Sequence, residues 1–242
     1  MGRTIDFAIG DVKTTAYVAS PEGAGPFPGV VVAFHKEGID AFTEWVVDDL
    51  ARNGYAAIAP NHYHVLPSME YIEKRRDYLT DKQLSADVKA AADWLVSDGN
   101  TEPGRRAILG HCMGGRTTWL GLVSLPGVFK CGCPFYGGGS FQALGEGPAP
   151  VDQLENIAGP VMGFFGNNDK NPSPADADEI SRRLTAFGKR HVFHRYDDTP
   201  HAFMDWANKS FNAASSKDAW PKALQFLSEQ IGGGAGKSVF PY

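Results

Sequence analysis

Apolar runs and helical stripes alternate along most of this chain. Val30 to Phe34, "VVVAF", is an unbroken apolar run with β-branched residues, which suits a strand covered on both faces. In "FTEWVVDDLARNGY" the apolar Phe42, Trp45, Val46 and Leu50 recur at helical intervals, and Asn53-Gly54 marks the stop. "YAAIAP" follows as a second buried strand. The alternation continues with helices predicted over 86–96, 113–123, 176–188 and 220–231 and strands over 106–110, 128–137, 160–166 and 191–196. Residues 5–19 read as two short strands about Gly10-Asp11. Strands alternating with helices of this length predict an α/β fold with a mostly parallel central sheet and helices on both faces. The stretch 61–81, "NHYHVLPSMEYIEKRRDYLTD", is long for a connection and is a candidate lid or pocket wall.

Composition narrows the partners more than the chemistry. A length of 242 residues suits one α/β domain over 1–242, with 232–242, "GGGAGKSVFPY", as a glycine hinge and short apolar tail. A net charge of -5 points to no nucleic-acid surface. The start lacks the apolar core of a signal peptide, and no run approaches the ~18 apolar residues of a membrane span, so a cytoplasmic chain without a membrane partner is expected. Nothing in the sequence demands an interface, which makes a monomer the default. Three cysteines form no disulfide framework, and reduced thiols are expected. His62-x-His64 and His191-x-x-His194 lack a carboxylate or cysteine set at ligand spacing, so neither a metal nor a cofactor is expected.

The chemistry concentrates in three short stretches. Gly110-His111-Cys112-Met113-Gly114 fits the nucleophile-elbow pattern with cysteine in the serine place, between a predicted strand and a predicted helix. At such a turn the sulfur sits by the helix N-terminus, where the dipole favours thiolate and the Met113 N–H can donate to an oxyanion. Asp169 follows the strand over 160–166, and His201 follows the strand over 191–196, so Cys112, Asp169, His201 run in the order nucleophile, acid, histidine. Each residue also has a plainer reading. Cys112 could be an inert buried thiol, Asp169 a helix cap or solvated acid with Asp197 and Asp198 as rivals, and His201 a loop histidine.

"GHCMGGR", "FFGNNDKNPSP" and "PHAFMD", taken with "VVVAFHKEGIDAFTEWVVDDLARNGYAAIAPNHY", resemble the dienelactone hydrolase, or carboxymethylenebutenolidase, family over roughly residues 28–230. The resemblance implies an α/β-hydrolase fold that opens enol-lactone rings in the breakdown of aromatic compounds without a cofactor, with Cys112, Asp169 and His201 as its triad. Relatives place a glutamate after the first central strand that holds the resting thiol. Here His35 and Lys36 come first and Glu37 falls one place late, either as that residue or as a surface turn acid. The same loop is expected to supply the second oxyanion donor, from the N–H of Glu37 or a neighbour. Members that bind a substrate carboxylate place an arginine four residues beyond the histidine, whereas this chain has Asp205, which would repel a carboxylate by about one to a few kcal/mol. Arg75 and Arg76 are candidate replacements, against a reading as a solvated helix face. Tyr63, Tyr136 and Phe203 are candidate pocket walls, with core packing as the alternative.

The expected reaction is attack of the Cys112 thiolate on a small-molecule enol lactone or activated ester, forming a thioester that water then cleaves. The alternative is a carboxylesterase or thioesterase for a small uncharged acyl substrate. A non-catalytic interaction protein, and a thiol redox sensor pairing Cys112 with Cys131 or Cys133, are the readings from other classes.

Overall fold

The apolar runs assemble into an eight-stranded sheet. The structure, a computed structural model, describes residues 2–97 and 101–234. Its strands are β1 (Arg3–Ile9), β2 (Val12–Ala19), β3 (Phe27–Ala33), β4 (Ala56–Pro60), β5 (Thr101–His111), β6 (Cys131–Phe135), β7 (Val161–Gly166) and β8 (His191–Tyr196), in the spatial order β1-β2-β4-β3-β5-β6-β7-β8. The β1–β2 hairpin closes at Ile9 opposite Val12, and β2 runs antiparallel to β4. From β4 to β8 all neighbours are parallel. This is the α/β-hydrolase fold.

Helices α1 (Ala41–Arg52) and α5 (Ala213–Ile231) cover one face, while α2 (Asp81–Ser97), α3 (Met113–Ser124) and α4 (Pro174–Ala186) cover the other. Side chains alternate across a strand, so Val30, Val32, Ala57 and Leu109 pack with α1 and α5, and Val31, Ile58 and Ile108 with α2, α3 and α4. Both faces being covered explains why Val30 to Phe34 is apolar throughout and no more than 1% exposed.

Long-range contacts move several boundaries away from the local pattern. Helix α2 starts at Asp81, ahead of the apolar stripe, because Asp81 is held by Arg116 on α3 through contacts of 2.6 and 3.0 Å. Helix α5 starts at Ala213 instead of Trp220 and runs through Pro221. The Asn212 side chain caps it by accepting from the Ser215 N–H at 3.1 Å, and buried Ala219, Trp220, Leu224 and Leu227 offset the hydrogen bond that proline removes. Strand β5 begins earlier and β6 is shorter than the apolar runs suggest.

The stretch 61–81 forms two short 3₁₀ helices, His62–Val65 and Met69–Asp77. The first is anchored by Asp87 of α2, which pairs with His62 Nδ1 at 2.9 Å and His64 Nε2 at 3.0 Å. The second has no fully buried residue. Most of the tail read at 232–242 lies outside the described residues. Among the described residues, no helix is long and apolar enough to cross a membrane.

Candidate active site

Cys112 sits where β5 turns into α3, with φ 57° and ψ -116°, a left-handed backbone that side-chain-bearing residues adopt at a cost. The glycines around it make that turn possible. A Cβ on Gly114 would lie 1.9 Å from the Ala33 carbonyl oxygen, and one on Gly115 would lie 2.4 Å from that of Phe135. The elbow is therefore clamped between β3 and β6, and the Cys112 N–H donates to the Phe135 carbonyl at 3.1 Å.

His201 and Asp169 arrive from the ends of β8 and β7. His201 Nδ1 donates to Asp169 Oδ2 at 2.7 Å, which leaves Nε2 for the sulfur, and His201 and Cys112 are hydrogen-bonded. Asp169 is 5% exposed, and its other oxygen accepts from the Asn171 N–H at 2.9 Å, so the carboxylate is fixed on both sides. The rival acids lie elsewhere, with Asp197 accepting from Asn167 at 2.6 Å.

The electrostatics favour an ion pair. Burial alone would raise the Cys112 thiol. The hydrogen bond and charge of His201, the Met113 N–H and the charge of His35 outweigh it and pull the thiol below its ordinary value. His201 responds in kind. Burial works against its cation, yet Asp169 and the Cys112 sulfur carry it up to about 10. Both shifts act in the same sense, toward a thiolate facing an imidazolium. Cys131 and Cys133 turn into the core, where burial pushes Cys131 up to about 12 and Cys133 well above the usual thiol range.

Two cavities meet at Cys112. The first, about 230 Å³, is lined by His35, Glu37, Tyr136, His201 and Asp205, among others, and the second, about 210 Å³, by Arg75, Arg76, Met113 and Arg116, among others. Lys36 borders both. Tyr136 walls the first cavity with its ring 5.1 Å from that of His201. Phe203, in contrast, is fully buried behind Tyr136, with ring centroids 5.1 Å apart, so it packs the core and does not wall the pocket. Tyr63 also lines neither cavity at Cys112. Its ring packs on Phe34 and its hydroxyl donates to the Lys36 carbonyl at 2.6 Å, bracing the loop. The Glu37 side chain borders the cavity at Cys112 but is 55% exposed and lies 3.3 Å from Lys36 Nζ, while the group coupled to the sulfur is His201. Asp205 and the two arginines border different cavities, which removes Asp205 from the arginine side of the cleft.

Sequence reasoning did not single out Asp40, nor the side chain of His35, which borders the cavity at Cys112. The available signals were the position of His35 directly after a buried strand and an aspartate just ahead of an apolar helical stripe, which is an N-cap pattern.

Known proteins resemble this chain over most of its length. The model of the dienelactone hydrolase family matches residues 14–231. A protein of Methylorubrum extorquens, provisionally named a carboxymethylenebutenolidase, is 31% identical over 229 residues, covering 90% of this chain and 77% of its own. One of Synechocystis sp., with the same provisional name, is 28% identical over 232 residues, covering 91% and 94%. A crystal structure from Klebsiella pneumoniae, provisionally named a dienelactone hydrolase, superposes with a TM-score of 0.82 at 28% identity over 95% of this chain and 99% of its own. The chain belongs to the dienelactone hydrolase family, and it is a hydrolase of carboxylic esters and lactones.

Proposed function

We propose that Cys112 is the nucleophile of this hydrolase and that its preferred substrate is an enol lactone or activated ester carrying a carboxylate. The observation that carries the reading is the Cys112–His201–Asp169 chain, with the sulfur at a strained strand-to-helix turn and its thiol shifted toward thiolate. The thiolate attacks the carbonyl carbon, and the oxyanion takes hydrogen bonds from the Met113 N–H and from a backbone N–H at Glu37 or its neighbour Lys36. As the tetrahedral adduct collapses to a thioester, the C–O bond breaks and the proton of His201 Nε2 passes to the leaving oxygen. His201, held by Asp169, then takes a proton from water, whose oxygen displaces the sulfur and releases the acid. A thiolate leaves as readily as it attacks, so the substrate needs a good leaving group, which an enolate is.

Support for the carboxylate comes from the second cavity. Arg75 and Arg76 border it next to Cys112, and neither is ion-paired with a carboxylate among the described residues. A charge-assisted hydrogen bond there is worth about 1.5–3 kcal/mol, or roughly ten- to a hundredfold in binding.

The test compares wild type, Cys112→Ala, Arg75→Gln and Arg76→Gln on p-nitrophenyl acetate and on a dienelactone with a free carboxylate, with mass spectrometry of the quenched enzyme. Expected are an acyl adduct on Cys112, no turnover in Cys112→Ala, and a KM raised about tenfold or more for the lactone alone in at least one arginine variant. Turnover by Cys112→Ala refutes the nucleophile, and arginine variants unchanged on the lactone refute the carboxylate subsite.

A further inference from the structure

Beside the relay lies a second carboxylate–imidazole chain that the reaction just described does not use. His35 follows the buried strand β3 and is only 7% exposed at its side chain. Its Nε2 lies 3.0 Å from Asp40 Oδ2, and its Nδ1 lies 3.9 Å from Asp205 Oδ2. Both carboxylates are fixed by backbone: Asp40 caps α1 by accepting from the Thr43 N–H at 3.0 Å, and Asp205 accepts from the Ala207 N–H at 2.9 Å. The Phe42 ring stands edge-on to the imidazole at 5.6 Å. His35, Asp205 and Cys112 line the same cavity, so the imidazole faces the space where the sulfur reacts.

We infer that Asp40 and Asp205 hold His35 as an imidazolium whose charge supports the Cys112 thiolate independently of His201, making all three positioning residues. The other charged or titratable groups around this chain are accounted for. Glu37 and Lys36 pair with each other at 3.3 Å, His201 belongs to Asp169, and burial keeps the Tyr136 hydroxyl neutral. His111, fully buried next to the Phe42 ring, is depressed to about 3 by burial and by the charge of His35, and stays neutral. Burial also opposes the His35 cation, and the two carboxylates outweigh it. Asp205 thus serves as the counter-ion of His35, which gives a physical reason for an acid at this position. The catalytic meaning rests on Cys112 being the nucleophile, so the test reads the thiolate without turnover.

The sign of one substitution separates two models. Acting directly, Asp205 repels the thiolate, and Asp205→Asn would then ease ionisation; acting through His35, the same change hinders it. The experiment follows the rate of Cys112 alkylation by iodoacetamide from pH 4 to 10 in the full chain, with Cys112→Ala as the blank and ester hydrolysis measured in parallel. His35→Gln should move the onset upward by about one pH unit, roughly a tenfold loss of thiolate below the onset. Asp205→Asn and Asp40→Asn should each move it upward by a smaller step, about two- to threefold, and asparagine preserves the α1 cap. In the His35→Gln background, Asp205→Asn should no longer raise it. An unchanged onset in His35→Gln, or a downward step in Asp205→Asn alone, overturns the inference. Should His35→Gln fail to fold, the two aspartate variants decide, an upward step supporting it and an unchanged or lower onset overturning it. The expected shifts in an enzyme that turns over no ester would refute the nucleophile and leave the charge chain standing.

Discussion

Replacing Asp169 by asparagine removes one charge from the relay at nearly constant volume. The His201 Nδ1 to Asp169 Oδ2 distance is 2.7 Å, with the carboxylate 2% exposed and the imidazole 31% exposed. Charge centres about 4 Å apart at an effective dielectric near 20 interact by about 4 kcal/mol. Solvent at the open third of the imidazole roughly halves that, leaving about 2 kcal/mol, or about 1.5 pH units. His201, carried up to about 10 in the native enzyme, should therefore lose its proton at lower pH in the variant. A second cost follows from the geometry. Asp169 accepts from His201 with one oxygen and from the Asn171 N–H with the other, so an asparagine must turn its NH₂ toward one of two donors. The loss in kcat/KM on p-nitrophenyl acetate at pH 8 should be about thirtyfold from charge alone, and up to a few hundredfold if His201 faces the amide nitrogen. The assay is the pH profile of kcat/KM from 6 to 11, with thermal melting as the control for folding. A loss under threefold, with the alkaline limb still near 10, would refute the relay.

Two further predictions concern what holds the site. Gly114→Ala places a Cβ 1.9 Å from the Ala33 oxygen and 2.8 Å from that of Phe34, both on fixed backbone, so it should cost at least ~3 kcal/mol in urea unfolding; a loss below 1 kcal/mol would show that the elbow can relax. Arg116→Leu leaves Asp81 without the guanidinium that meets it at 2.6 and 3.0 Å and should cost about 3–5 kcal/mol, while the double variant Arg116→Leu, Asp81→Asn should recover part of that; equal stability of the two would contradict a buried charge as the cause.

What the sequence made legible follows from range. The run Val30 to Phe34 declares itself because a strand covered on both faces must be apolar at every position, whatever covers it. Cys112, Asp169 and His201 could be picked out because each follows a strand end, and a parallel sheet brings its strand ends to one edge. Pairings made by tertiary contact left no local mark. Nothing in "PHAFMD" tells whether Phe203 faces the cavity or the core, because Tyr136, from a distant strand end, takes the place on the cavity side. Helix α5 shows the same limit. Pro221 reads as a helix start until burial of the preceding turns is known. The meeting of Asp40, His35 and Asp205 likewise depends on two loops folding toward each other.

The short helix Met69–Asp77 fully buries none of its side chains, yet it supplies Arg75 and Arg76 to the cleft. Exposed positions of this kind usually change stability by no more than about 0.5 kcal/mol when substituted, whereas the glycines of the elbow tolerate no added methyl without movement of backbone. With Arg75 and Arg76 as the proposed carboxylate subsite, selectivity and foldability rest on separate stretches of sequence. A lineage carrying this enzyme can drift in the molecules it accepts while its chemistry stays fixed, and a library randomised over 69–77 should sample new substrates with most of its members still folded.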